Sequence, residues 1–142
     1  MRVPLAINLE LRRGRHGASA RLELHERAEG TVALVAVRGW MEHVALRRLA
    51  RTLDALEVPG MCRLLLDCSL LRHIDVRLVA PLVESLGRFE SRRGTVVVCG
   101  LSHQLSRRFR AAGPGRCFPC WPSAAELLVS PFALEAGREW AS

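Results

Sequence analysis

Apolar and polar positions along the chain follow two periods. From Ala20 onward, Leu22 and Leu24 alternate with Glu23 and His25, a period of two that predicts an edge strand. Thr31 to Val37 is β-branched and apolar and predicts a second strand, antiparallel to the first across a Glu29-Gly30 turn. Gly39 ends it. Leu46, Leu49, Leu53 and Leu56 then recur at helical spacing, with Arg47, Arg48, Arg51 and Asp54 facing out. A helix is expected from roughly His43 to Leu56, stopped by Val58-Pro59-Gly60.

Leu64, Leu65 and Leu66 form an apolar run of strand length, ended by Asp67, Cys68 and Ser69. A short loop is expected to lead to Ile74 and Asp75. Val79, Leu82, Val83 and Leu86 follow at i, i+3, i+4 and i+7, which predicts a helix over about Val76 to Arg92. Pro81 inside it deletes a hydrogen bond and clashes with the carbonyl four residues back, so the helix is expected to kink or to start late. Thr95 to Cys99 reads as a buried strand closed by Gly100. Ser102 is positioned to cap a helix to Ala112, with Leu105, Phe109 and Ala112 on its apolar face. Gly113-Pro114-Gly115 breaks that helix, and Phe118 begins a short last strand. Ser123 caps a final helix to about Val129, with Leu127 and Leu128 inward, and Pro131 ends it. The order is β β α β α β α β α, an α/β chain. Residues 1–18 show no clear period and read as an N-terminal extension, either an arm or an added strand. Residues 19–130 form the domain, and residues 131–142 a tail.

The chain has 142 residues, one domain's worth and enough for a core. Its apolar content of 49% excludes a disordered chain. No apolar run approaches the length that spans a bilayer, so membrane insertion is not expected. Arg12, Arg13 and Arg15 follow a short apolar stretch, the reverse of a secretory signal, and the expected location is the cytoplasm. The net charge is +7, and every basic residue is Arg. These arginines are scattered, with small clusters at 12–15, 47–51 and 107–110. No aromatic residues interleave with them as a single-strand binding face requires, so nucleic acid is not an expected partner.

Asp75 stands where a carboxylate caps a helix and complements its dipole. Asp67 and Ser69 are placed to satisfy backbone groups at a strand end. Cys117-Phe118-Pro119-Cys120 is a C-x-x-C beside a proline, the pattern of a redox dithiol or half of a metal site. Redox pairs sit at a helix N-terminus, whereas this one falls late, in an expected short strand. A zinc site would need further ligands such as Cys62, Cys99 or His103, with no second C-x-x-C to supply them. Cys62, Cys68 and Cys99 flank or lie in apolar strands and read as core. The five histidines lack metal-ligand spacing, and neither Ser69 nor Ser102 carries nucleophile-elbow glycines. No catalytic residue, metal or cofactor is expected.

The stretch from Arg63 to Arg77 resembles the sulfate transporter and anti-sigma factor antagonist (STAS) domain family. That family has a strand ending Leu-Asp-Leu-Ser, a short loop, and Asp-Ser-Ser-Gly-Leu opening a helix. Leu66-Asp67-Cys68-Ser69 and Ile74-Asp75 match, whereas Val76, Arg77 and Leu78 stand where the family has Ser, Ser or Thr, and Gly. Gly39 matches the glycine before the first helix, and Met41 and Glu42 replace the Leu-Asp pair after it. The resemblance runs from about Thr31 to Val129. It implies a mixed sheet of about four to five strands with about four helices, mainly on one side. It also implies a non-catalytic, protein-binding role in bacterial sigma factor regulation, with a serine kinase-like anti-sigma factor or another STAS-binding protein as partner. The docking surface it implies comprises Ser69, His73, Asp75, Val76, Arg77, Leu78 and Leu82. Arg77 occupies the phosphoacceptor place and cannot be phosphorylated. A STAS subunit of a transport or scaffolding assembly, and a thiol redox or metal-binding protein built on Cys117 and Cys120, stay open as alternatives. The oligomeric state is not readable from the chain.

Overall fold

The computed structural model describes residues 5–28, 30–56, 60–92, 94–112 and 120–121. The elements, in chain order, are β1 (Leu5–Arg12), β2 (Ala18–Arg27), β3 (Gly30–Met41), α1 (His43–Ala55), β4 (Met61–Ile74), α2 (Val76–Arg92), β5 (Thr95–Cys99), α3 (His103–Ala112) and β6 (Cys120–Trp121). One sheet holds the six strands in sequence order. β1, β2 and β3 pair antiparallel; β3, β4, β5 and β6 pair parallel. Each parallel step needs a crossover, and α1, α2 and α3 supply one each. Crossovers that keep one hand while the strand order advances one way put their helices on one face. Accordingly Leu49, Leu86 and Phe109, one from each helix, share a single core cluster.

The burial pattern follows from strand position. β2 alternates, with Ala18, Ala20 and Leu22 buried under the helices and Arg21 exposed opposite. The central strands are covered on both faces and read as continuous apolar runs: Val32 to Val35 in β3, Leu64 to Leu66 in β4 and Val96 to Cys99 in β5 are all buried. Ala33, Val35, Leu64 and Leu66 face the helices, whereas Val32, Leu34, Leu65, Val97 and Cys99 form a second cluster. Each fully buried leucine of β4 contributes about 1.5–3 kcal/mol. The expected stripes of α1 (Leu46, Leu49, Leu53, Leu56) and α2 (Val79, Leu82, Val83, Leu86) are buried. Asp54 of α1 binds Arg88 of α2 at 3.3 Å on their outer side.

Several expectations are corrected. β2 is not an edge strand, because residues of the N-terminal extension form β1, the added strand of the two expected alternatives, and it pairs along β2. β3 does not end at Gly39 but runs to Met41. The loop expected between Ser69 and Ile74 is strand: β4 continues to Ile74, with Leu70, Leu71, His73 and Ile74 paired to Arg38, Gly39, Trp40 and Met41. α2 does not start late. It begins at Val76 and runs through Pro81, which is exposed. Ser102 caps α3 as expected, its hydroxyl accepting the Leu105 N–H at 3.2 Å. Glu29, Val58 and Pro59 lie outside the described residues, as do the features expected at 113–119 and 122–142, the final helix and Cys117 among them.

Candidate functional site

The site is built where β4 hands over to α2. β4 carries three bulges against β3, after Met61, Asp67 and Leu71, each placing one extra residue on β4. At the second, Asp67 Oδ1 accepts the Ser69 N–H at 2.9 Å, satisfying a donor the bulge frees from the ladder. The extra residues shift the alternation. Leu64, Leu66 and Cys68 face the helices at spacing two, then Leu71 and Ile74 do so at spacing three. Leu70 and His73 are thereby exposed. The N–H of Asp75 donates to the Met41 carbonyl at 3.3 Å, which ties the start of α2 to the end of β3.

Asp75 is the N-cap. Its Oδ1 accepts the Arg77 N–H at 2.9 Å, and its carbonyl accepts the Leu78 N–H at 2.9 Å. The Arg77 guanidinium then closes on the same carboxylate, Nε to Oδ1 at 3.3 Å and Nη2 to Oδ2 at 3.0 Å. Arg77 is therefore not a free positive charge, although its side chain is 88% exposed. The two form a neutral, surface-facing fork at the first turn of α2. The side-chain bond from Arg77, and then its backbone N–H, hold the Asp75 carboxyl below its ordinary value, and Asp75 raises Arg77 in return.

Of the expected docking residues, Ser69, His73 and Arg77 are exposed and Asp75 is half-buried, strung along the end of β4 and the start of α2. Leu78 and Leu82 are corrected: both belong to the core cluster, because the i, i+3, i+4 stripe that carries Val79 turns them inward. Ser85, another hydroxyl of α2, is fully buried, and its Oγ has no hydrogen-bond partner among the described residues. The sequence reading missed a row of rings beside the site. His73 packs against Trp40 at 4.8 Å between centroids and a tilt of 37°, and Trp40 against His16 at 4.3 Å and a tilt of 55°. The cross-strand pairing of Trp40 with His73 depends on the third bulge, which no periodicity reveals. Cys120 lies in β6, while Cys99 Sγ donates to the Leu66 carbonyl at 3.5 Å. Among the described residues no group of three His, Cys, Asp or Glu is gathered to hold a metal ion, and no helix is long and apolar enough to cross a membrane.

The family described as "Mlab, STAS domain" matches residues 24–119, from β2 through the strands and helices that frame this site. The chain belongs to the STAS domain family. Solved structures share its fold. The anti-sigma factor antagonist SpoIIAA in its unphosphorylated form is 16% identical with a TM-score of 0.58, over 75% of this chain and 92% of that one. An anti-sigma factor antagonist from Mycobacterium paratuberculosis is 17% identical with a TM-score of 0.57, over 86% and 97%. The murine anion transporter Slc26a9 is 10% identical with a TM-score of 0.60, over 93% of this chain and 22% of the transporter. No curated protein sequence matches. In this STAS domain the Asp75 fork makes a pH prediction. A carboxyl lowered in the fold adds stability that is complete above the unfolded value, about pH 4, and is lost as pH falls through the lowered folded value. The stability difference between the wild type and Asp75→Asn is expected to be constant from neutral pH to about pH 5 and to shrink below about pH 4. Urea unfolding across that range checks it, and a difference that persists undiminished to about pH 2 contradicts it.

Proposed function

We propose that this STAS domain is a non-catalytic, cytoplasmic protein-docking module of the anti-sigma factor antagonist type whose docking edge lacks the phosphorylation switch. The observation that carries the reading is the start of α2. Asp75 caps the helix at the family's aspartate place, Val76 and Arg77 bring no hydroxyl, and Arg77 is folded onto Asp75. A serine kinase partner would find no acceptor there, and buried Ser85 offers none. Ser69, His73, Asp75, Val76 and Arg77 are the residues proposed to meet the partner. A permanently neutral fork favours constant engagement over phosphate-gated release, since phosphate adds about two negative charges.

A transport or scaffolding assembly, in which no such switch is needed, is the second reading, and the same missing hydroxyls favour it. Quantitative pull-downs from native cells with wild-type and Arg77→Glu bait test both. Reversing the charge of Arg77 sets two carboxylates against each other at the helix start. The bound partner is expected to fall by about tenfold, a change of about 1.4 kcal/mol. Mass spectrometry of the native protein is expected to find residues 69–85 unphosphorylated. An anti-sigma factor in the bound fraction selects the first reading, and a transport component the second. Equal capture by both baits, or stoichiometric phosphate on Ser69 coupled to partner release, overturns the proposal.

A further inference from the structure

The sheet face opposite the helices carries a basic groove, for which we propose an extended acidic peptide segment of a protein partner as the occupant. The inference does not rest on the docking role of the α2 start. A hollow of ≈ 520 Å³ lies between the β1–β2 turn and the ends of β3 and β4, and a second of ≈ 400 Å³ adjoins it across the strands. They share Ser19, Arg38 and Leu70, so together they form one trough across four strands. Three inter-strand steps of about 4.8 Å give it a length of about 14 Å, or about four extended residues.

The charges in the trough are unevenly matched. Glu10 is taken by Arg13 at 3.0 Å, Arg12 pairs with Glu42, and Arg21 binds Glu23 at 3.1 Å. Arg38 and Arg72 line the first hollow and have no carboxylate partner among the described residues. Leu70, paired with Arg38 across the strands and two residues before Arg72, is 53% exposed, one of the most exposed large apolar side chains described. It is turned outward by the Asp67 bulge. A nucleic-acid backbone or an inorganic anion satisfies the two guanidiniums but leaves Leu70 uncovered. Trp40, a ring large enough for base stacking, is engaged by His16 and His73. An extended segment with acidic residues on either side of an apolar one meets all three groups, because residues i, i+2 and i+4 share one face.

The test uses the full chain and a fluorescein-labelled nonapeptide, Gly-Gly-Glu-Ala-Leu-Ala-Glu-Gly-Gly, followed by anisotropy. Saturable binding is expected, weakened at least about tenfold by Arg38→Glu with Arg72→Glu, and changed less than about twofold by Arg107→Glu with Arg108→Glu on α3. The Gln-for-Glu peptide is expected not to bind. Because the groove variants reverse charge near a strand end, amide shifts in the wild-type protein give a readout independent of their folding. Peptide-induced shifts are expected at Ser19, Arg38 and Leu70. Absence of saturable binding, equal weakening by the α3 variant, shifts centred on α3, or equal displacement by inorganic phosphate or by a DNA duplex would each overturn the proposal.

Discussion

Gly39→Ala is expected to lower the stability of this domain by about 3 kcal/mol. Gly39 sits inside β3 with φ of +90°, paired to Ala18 on one side and Leu71 on the other. A Cβ there would run into the Gly17 carbonyl oxygen and come within 3.2 Å of the Ala18 Cα. That oxygen already accepts the Trp40 N–H at 3.0 Å. Alanine must hold the positive φ, at about 1–2 kcal/mol, and must also push β2 away and lose the hydrogen bond, at about 1 kcal/mol more. Both neighbours are backbone, which cannot swing aside as a side-chain tip does. With a urea slope of about 1–3 kcal/mol/M, the unfolding midpoint is expected to fall by about 1 M or more. A fall under about 0.3 M would mean that the hairpin end gives way freely.

Gly39 also marks where the sequence stops being legible. As a strand breaker it reads as the end of β3, yet the strand continues through it to Met41 because its positive φ is accommodated within the ladder. The same cause hid the end of β4. Asp67, Cys68 and Ser69 read as a strand end, since polar residues interrupt the apolar run. In the fold they form a bulge that Asp67 stabilises by bonding the Ser69 N–H, and pairing resumes. Bulges break the period of two on which strand reading depends, so Leu70, Leu71 and His73 gave no usable alternation. β1 was obscured for another reason. Within Leu5–Arg12 the core-facing Leu9 and Leu11 alternate with Asn8 and Glu10, but Ile7 is exposed, and Ala6 and the flanking arginines weaken the contrast. The helix stripes, by contrast, were plain because burial against a flat sheet demands an uninterrupted 3.6-residue period. Asp75 as the cap was also legible, being local chemistry. The Arg77 fork was less so: a contact two residues away depends on how the first turn aims the side chain.

Pro81→Ala is expected to raise stability by about 2 kcal/mol. Pro81 stands in the second turn of α2, where it has no N–H to give the Arg77 carbonyl. Proline costs about 3 kcal/mol relative to alanine in a helix interior, and about 1 kcal/mol returns because its ring also restricts the unfolded chain. The helix runs through it nonetheless, because Leu78, Val79, Leu82, Val83, Leu86 and Phe89 are all buried in the sheet-facing core. Burial of several such side chains, at about 1.5–3 kcal/mol each, outweighs one missing bond. Pro81 itself is exposed and adds nothing to that core. Its effect is to loosen the first turn, the one that carries the Asp75–Arg77 fork, from the remainder of α2. Hydrogen exchange in Pro81→Ala is expected to slow at the amides of the first two turns by more than at residues 86–92, and the urea midpoint is expected to rise. A midpoint that stays put or falls would show that the ring fits the local backbone without strain. In that case the first turn is as firmly held as the rest of the helix, and the proposed docking edge is rigid before any partner binds.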